Sequence, residues 1–334
     1  MKAIIRTILY LALAGCVAAP ALAQGDTPAR IKTRTELVVV PVTVKDSRGN
    51  LVSDVTRDEF RIFQDGVEQE ISLFSVDPFP LSAVIVLDND LGDKASKEVQ
   101  KSLDSIAAAF GPNDEVALIT FDEYPQTVMD FTRSNDQLFA QLKRTRLENN
   151  SPPPGGGPWV TPPVTNTSQV GVMTTPTQRS APPKVTKCLN DAIYAATDLL
   201  RTRGRDRRKI IFLVSDGNNA KTNKWTYDAT LTHLLEADVS VYAIGIGHVL
   251  LLHEGGLLPR YANTTGGDFF FASKQPELER LYASICEEAR NRYTLAYVPH
   301  TQAAGRNYHS IEVRVRRPGL DLSARQGFYS GPAQ

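Results

Sequence analysis

From residue 81 onward the chain repeats one alternation. A short run of consecutive apolar residues is followed by a longer stretch in which apolar residues return every third or fourth position. Residues 81–87 (LSAVIVL), 115–121 (EVALITF), 209–214 (KIIFLV) and 239–246 (VSVYAIGI) are the near-continuous runs, and they predict strands buried on both faces. Between them, residues 95–110 place Val99, Leu103, Ile106, Ala107 and Phe110 at helical spacing before Gly111-Pro112 stops the helix. The same spacing predicts helices around Leu138 and Leu142, over 189–200, over 227–236 and over 276–290, with shorter strands at 127–131 and 268–271. Strands alternating with helices define an α/β class: a doubly wound, mostly parallel sheet over residues 80–290.

The two flanks have a different texture. Residues 36–44 (ELVVVPVTV), 59–64 and 69–76 read as short strands separated by the turn clusters Asp46 to Asn50 and Asp65-Gly66. The tail repeats this at 294–298, 309–315 and 320–329. Neither flank has enough strands to hide an apolar face alone. Segments 36–76 and 293–329 are therefore expected to pair into one small antiparallel β domain, sharing a single sheet. Residues 148–184 break the rhythm with Pro152 to Pro154, Gly155 to Gly157 and many Thr and Ser, and read as a long flexible insertion. Ordering such a backbone costs roughly 1–2 kcal/mol per residue with little apolar surface to offset it. Limited proteolysis is expected to cut there first and leave two associated fragments. First cleavage elsewhere, with this stretch protected, would show it to be ordered.

The N-terminus reads as an export signal over residues 1–23. Lys2 and Arg6 form the positive end, an apolar run begins at Ile8, and Ala21-Leu22-Ala23 supplies a small-x-small cleavage site. A membrane span needs about 20 apolar residues, and Pro20 with Gln24 to Asp26 ends the run too soon. The mature chain is thus expected to be periplasmic or secreted, with no transmembrane segment. Leu13-Ala14-Gly15-Cys16 also fits a lipoprotein signal, which would anchor the protein through a lipid on Cys16; the apolar residues after it favour cleavage after Ala23. Among 334 residues, 42% are hydrophobic and 22% charged, enough for a real core. Removing Lys2 and Arg6 turns 37 basic against 37 acidic residues into 35 against 37, net −2. That charge gives no reason to expect nucleic acid or an anionic membrane as partner. Cys188 and Cys286 remain; an oxidising compartment permits a bond between them, but each also suits a helix face as a small hydrophobe.

In an open parallel sheet, ligands sit at the carboxyl ends of the strands. Three segments carry polar residues there: Asp88-Asn89-Asp90-Leu91-Gly92-Asp93, Thr186-Lys187-Cys188 and Ser215-Asp216-Gly217-Asn218-Asn219. Aspartate and glycine after a strand are also ordinary turn and helix-cap residues. No GxSxG, HExxH or CxxC motif occurs, the histidines show no ligand spacing, and Gly245-x-Gly247 lacks the rest of a dinucleotide loop.

These segments, with 114–121 (DEVALITF), Asp191-Ala192-Ile193-Tyr194 and Thr265-Gly266-Gly267, resemble the von Willebrand factor A domain and its metal-ion-dependent adhesion site. The flanks resemble a bacterial subgroup of secreted relatives of that family, through Asp46, Gly49, Val52, Asp58, Phe60, Asp65 and Gly66, and through Arg325, Gly327, Phe328 and Tyr329. The resemblance implies an interaction or adhesion protein that grips a protein or peptide partner, a metal accepting the partner's carboxylate. It places Asp88 and Asp216 at the two aspartate positions, Asp90 and Gly92 at the two serine positions, and Lys187 at the threonine position, with Thr186 one residue off. Carboxylates and hydroxyls suit Mg²⁺ or another divalent ion. Here the hydroxyls are gone and a lysine stands among the carboxylates, so the site reads as degenerate. The expectation is that Lys187 points into the cavity with Asp88, Asp90 and Asp216, its ammonium near the metal's place; were an ion bound, those three aspartates would hold it. The rival reading is a cell-envelope hydrolase using Asp88 and Asp90 as acid and base. That needs carboxyl groups about 5–9.5 Å apart in a cleft, of which the sequence gives no sign.

Overall fold

The computed structural model describes residues 37–147, 187–247, 256–299 and 306–330. The segment read as an export signal, with Cys16 and Ala23, the stretch 148–184 and Thr186 lie outside the described residues.

The four apolar runs become the inner strands of a six-stranded sheet. In chain order its elements are β5 (Leu81–Asp88), α1 (Asp93–Ala109), β6 (Glu115–Phe121), β7 (Pro125–Thr132), α2 (Asn135–Arg144), α3 (Leu189–Arg201), β8 (Arg208–Ser215), α4 (Tyr227–Glu236), β9 (Val239–Ile246), α5 (Leu257–Thr265), β10 (Phe269–Ala272) and α6 (Gln275–Arg290). The strand order is β10-β9-β8-β5-β6-β7, parallel throughout except for the β6–β7 edge pair. All eight residues of β5 are buried. Ala83, Ile85 and Leu87 face one core with α1, α2 and α6, while Val84 and Val86 face a second with α3, α4 and α5. Apolar side chains on both faces of one strand need helices on both sides. Cys286 lies in the first core and Cys188 in the second, both as free thiols, so the sheet separates them. Among the described residues no helix is long and apolar enough to cross a membrane.

The flanks supply β1 (Val38–Asp46), β2 (Phe60–Gln64), β3 (Val67–Gln69) and β4 (Ile71–Ser75), then β11 (Tyr293–Tyr297), β12 (Tyr308–Val315), β13 (Leu320–Ala324) and β14 (Gly327–Tyr329). They interleave, but as two four-stranded sheets where one was expected: β13-β1-β11-β4 and β14-β12-β2-β3. Each sheet has one apolar face, and the two faces close on each other around Val40, Val42, Phe60, Ile62, Leu295 and Tyr297. Two segments read as single strands are each split between the sheets. Residues 69–76 divide at Glu70: Gln69 pairs with β2, and β4 with β11. Residues 320–329 divide at Arg325-Gln326, where β13 leaves β1 and β14 joins β12. At that corner the buried Arg325 guanidinium pairs with Asp238 and donates to the Val39 carbonyl at 2.6 Å. The Gln326 N–H donates to the Thr264 carbonyl at 3.0 Å.

The sandwich meets the parallel sheet through buried polar contacts. Arg292 donates to Ser240 Oγ and the Pro41 carbonyl, each at 3.0 Å, and to the Gly266 carbonyl. Lys45 bridges Asp268 and Glu288 at 2.5 and 2.7 Å. Gly267 lies so close to β9 that an added Cβ would sit 2.0 Å from the Val241 carbonyl oxygen, so no larger residue fits without moving backbone.

Within the sandwich, Glu59 accepts two Arg317 bonds at 3.0 Å and the Thr56 N–H at 2.9 Å. The Arg317 guanidinium and these bonds hold its carboxyl at about 2, below the ordinary 4.5. A lowered carboxyl stabilises the fold above its unfolded value, and that stability is lost as pH falls through the folded value. Glu59→Gln should therefore be less stable than wild type at pH 7, and the gap should close as pH falls from about 4.5 towards 2. Urea midpoints of the pair at pH 7 and pH 2.5 measure this. A gap independent of pH would remove the ion pair from the account.

Candidate functional site at the carboxyl edge of the parallel sheet

β5 and β8 are neighbours in the sheet, but the chain runs outward from β5 through β6 and returns from the other side into β8. Their carboxyl ends form the switch point, where the connections diverge and where open α/β sheets place their ligands. Asp88 is the last residue of β5, and Asp216 follows Ser215, the last of β8. Lys187, just before α3, reaches between them. Its Nζ donates to Asp88 Oδ2 at 3.2 Å and to Asp216 Oδ2 at 2.7 Å. Asp88 has none of its surface exposed, and Lys187 only 4%.

Every oxygen of the two carboxylates accepts a bond from the protein. The Asp90 N–H donates to Asp88 Oδ1 at 3.0 Å, and Asp88 Oδ2 also takes the Ser215 hydroxyl at 2.7 Å. Asp216 Oδ1 accepts the Asn218 N–H at 3.0 Å, while its Oδ2 shares Lys187 with the Asn218 side-chain amide at 2.9 Å. Burial pushes the Asp88 carboxyl up, to about 6, against the pull of Lys187, with the Asp216 charge adding to the rise. Burial alone would lower Lys187, yet Asp88 and Asp216 outweigh it and raise its pKa. The ammonium therefore stays charged at neutral pH.

Neighbouring loops hold this group in shape. The Lys187 carbonyl accepts the Ala220 N–H at 2.7 Å, and the Cys188 N–H donates to the Asp122 carbonyl at 2.8 Å. Asp191 receives the N–H groups of Lys224 and Trp225 at 2.9 and 2.8 Å. Asn190 bonds the Trp225 carbonyl and the Tyr261 hydroxyl. The loop from β8 to α4 is thereby tied to the first turn of α3. Trp225 stacks on Tyr194 at 4.1 Å, and Tyr194 on His233 at 4.0 Å.

The structure brings Asp88, Lys187 and Asp216 together. Asp90 is half-buried on the same loop as Asp88 and touches it through its backbone. Gly92 is exposed at the N-cap of α1, with nothing within 4 Å of an added Cβ. Sequence reasoning missed the inward-turned Ser215 hydroxyl and the anchoring work of Asn190, Asp191 and Asn223, whose side-chain amide donates to the Lys187 and Ala220 carbonyls at 3.3 and 2.6 Å. Asp191 and Ser215 stand inside stretches that carried the family resemblance, so the signal was present without a role attached.

A doubly wound, mostly parallel sheet with Asp88 ending β5 and Asp216 just past β8 is the architecture that the resemblance implies. The fold is von Willebrand factor A-like. Among similar solved structures is a conserved hypothetical protein, BatB, from Bacteroides thetaiotaomicron, 12% identical, with a TM-score of 0.43 over 63% of this chain and 98% of that one. A von Willebrand factor type A protein from Catenulispora acidiphila is 10% identical, with a TM-score of 0.45 over 88% of this chain and 74% of that one. Proximal thread matrix protein 1 from the mussel byssus, solved with a zinc-occupied MIDAS motif, is 14% identical with a TM-score of 0.44 over 68% of this chain. This chain spans 49% of that protein's length. No protein-family model matches the chain, and no curated protein is similar to it in sequence.

Proposed function

We propose that this is an exported interaction protein that captures a protein or peptide partner with the carboxyl edge of its von Willebrand factor A-like domain. One observation carries the reading: a prebuilt polar group, Asp88–Lys187–Asp216, at the switch point of the sheet. The loops around it are tied down by Asn190 and Asp191, so the surface is ordered before a partner arrives and less freedom is lost on binding. Burial of Asp88 argues against its use in hydrolysis, and it leaves the partly exposed Asp216 and the exposed Asn218 to meet a partner. A general acid or base must touch its substrate, and the Asp88 carboxyl has no exposed surface. The leader-like N-terminus supports export, with release after Ala23 favoured over a lipid on Cys16.

The test is a pull-down from cell-envelope extract with wild type and Asn218→Arg, a bulky change on an exposed residue beside Asp216. Capture by wild type and its loss in the variant is the expected result. Equal capture by both would move the contact elsewhere, and turnover of a glycan or ester panel would replace the reading with a catalytic one. N-terminal analysis of the exported chain separates Gln24 from a lipidated Cys16.

A further inference from the structure

The metal implied by the family resemblance does not fit the residues present. A hard divalent ion gathers about six oxygen ligands. Of the ligand positions that the resemblance implies, Asp90 keeps a carboxylate, but Gly92 offers no side chain and Lys187 offers nitrogen, and among the described residues no three acidic, His or Cys side chains are placed to hold an ion. The Ser215 hydroxyl is committed too, donating to Asp88 and accepting the Gly217 N–H at 3.0 Å. All four oxygens of Asp88 and Asp216 already hold protein donors. The missing hydroxyl at Gly92 is not forced by crowding, since a Cβ there would meet nothing within 4 Å.

We propose that the Lys187 ammonium stands in for the divalent ion, so that the site is assembled, and its partner captured, without metal. This deepens the interaction reading and rests on it for the partner. Lys187 Nζ bridges one oxygen from each of two aspartates on adjacent strand ends, at 3.2 and 2.7 Å, which is the task a cation performs between such carboxylates. It is buried and held by its own carbonyl through Ala220 and Asn223, so it is a built part of the site and not a surface side chain that happens to lie nearby. Two carboxylates so placed repel each other and are relieved by a cation or a proton between them, and here the ammonium occupies that place.

The substitution also changes what the partner can offer. A divalent ion with two aspartates is neutral and keeps a coordination position for an incoming carboxylate. One ammonium with two aspartates leaves a net charge of −1 and no such position. Capture therefore proceeds without a carboxylate-to-metal bond.

Calorimetry with Mg²⁺, Mn²⁺ and Ca²⁺ on wild type and Lys187→Thr tests this, together with urea midpoints in EDTA and in millimolar Mn²⁺. Wild type is expected to show no saturable heat and one midpoint in both media. Lys187→Thr is expected to have a lower midpoint in EDTA, restored at least in part by an ion that also gives a saturable heat. A variant that refolds only with metal reads the same way. Saturable binding by wild type overturns the proposal. So does a variant as stable as wild type in EDTA, or one that no ion restores or folds. None of these readouts involves the partner, so a failed pull-down leaves them standing. Capture by wild type that is abolished by EDTA would sink the metal-free site while leaving the interaction reading intact.

Discussion

Lys187→Met should lower the stability of the folded chain by about 3–5 kcal/mol at neutral pH, the range for removing one partner of a buried ion pair. Methionine keeps much of the lysine's apolar length, so cavity formation contributes little and the effect reports the charge. What remains is Asp88, fully buried, facing Asp216 without the ammonium that bonded both. The remaining donors, the Ser215 hydroxyl and the N–H groups of Asp90 and Asn218, orient the carboxylates but do not neutralise them. Adding Asp88→Asn to Lys187→Met should recover part of the loss, because one of the two unpaired charges is then gone. The double-mutant cycle isolates that coupling. Urea unfolding in EDTA measures all four chains. A loss under about 1 kcal/mol for Lys187→Met, or no recovery in the double variant, would mean that Lys187 is not paired as described.

The second large effect is steric. Gly267→Ala should destabilise by about 4 kcal/mol or more, in the range reserved for strained or overpacked backbone. Its Cβ would stand 2.0 Å from the Val241 carbonyl oxygen and 2.6 Å from the Val241 carbonyl carbon. Both are backbone atoms of an inner strand, so no side-chain rotation relieves the contact. The preceding Gly266 has φ +74 and also closely approaches the Ala324-Arg325 backbone, which leaves the connection little room to shift. Gly92→Ala is the control. Its φ of −61 suits any residue and nothing lies within 4 Å, so the change should stay within about 1 kcal/mol, the scale of a lost cap preference. Thermal and urea unfolding of the two variants side by side decide the matter. Similar stabilities for both would contradict the close approach of Gly267 to β9.

The inner strands of the parallel sheet were legible because their burial on both faces leaves an unbroken apolar run, which few other environments produce. The helices were legible from Val99-Leu103-Ile106 and Tyr282-Ile285-Ala289, whose spacing marks one buried stripe. The sheet changes at Glu70 and at Arg325-Gln326 were not. A strand keeps its alternation whichever partner it pairs with, so a jump between sheets leaves no trace in the local pattern. The information lies in long-range contacts such as Arg325 with Asp238. For the site, the ends of the apolar runs put Asp88 and Asp216 at one edge, and the resemblance suggested Lys187. The inward turn of Ser215 and the clamp on the Lys187 carbonyl depend on loops folding back over one another, which no periodicity encodes.

The interleaved sandwich has a mechanical consequence. β4 and β11, where the chain leaves the sandwich for the parallel sheet and returns, are hydrogen-bonded neighbours, with Ser75 opposite Thr294. A pull between Val38 and Tyr329 therefore loads the β14–β12 and β13–β1 pairs first and reaches the residues between Ser75 and Tyr293 only sideways, through contacts such as Arg325 with Asp238 and Gln326 with Thr264. The carboxyl edge that holds Asp88, Lys187 and Asp216 is thereby set behind a clasp, off the direct strand-to-strand path between the two ends.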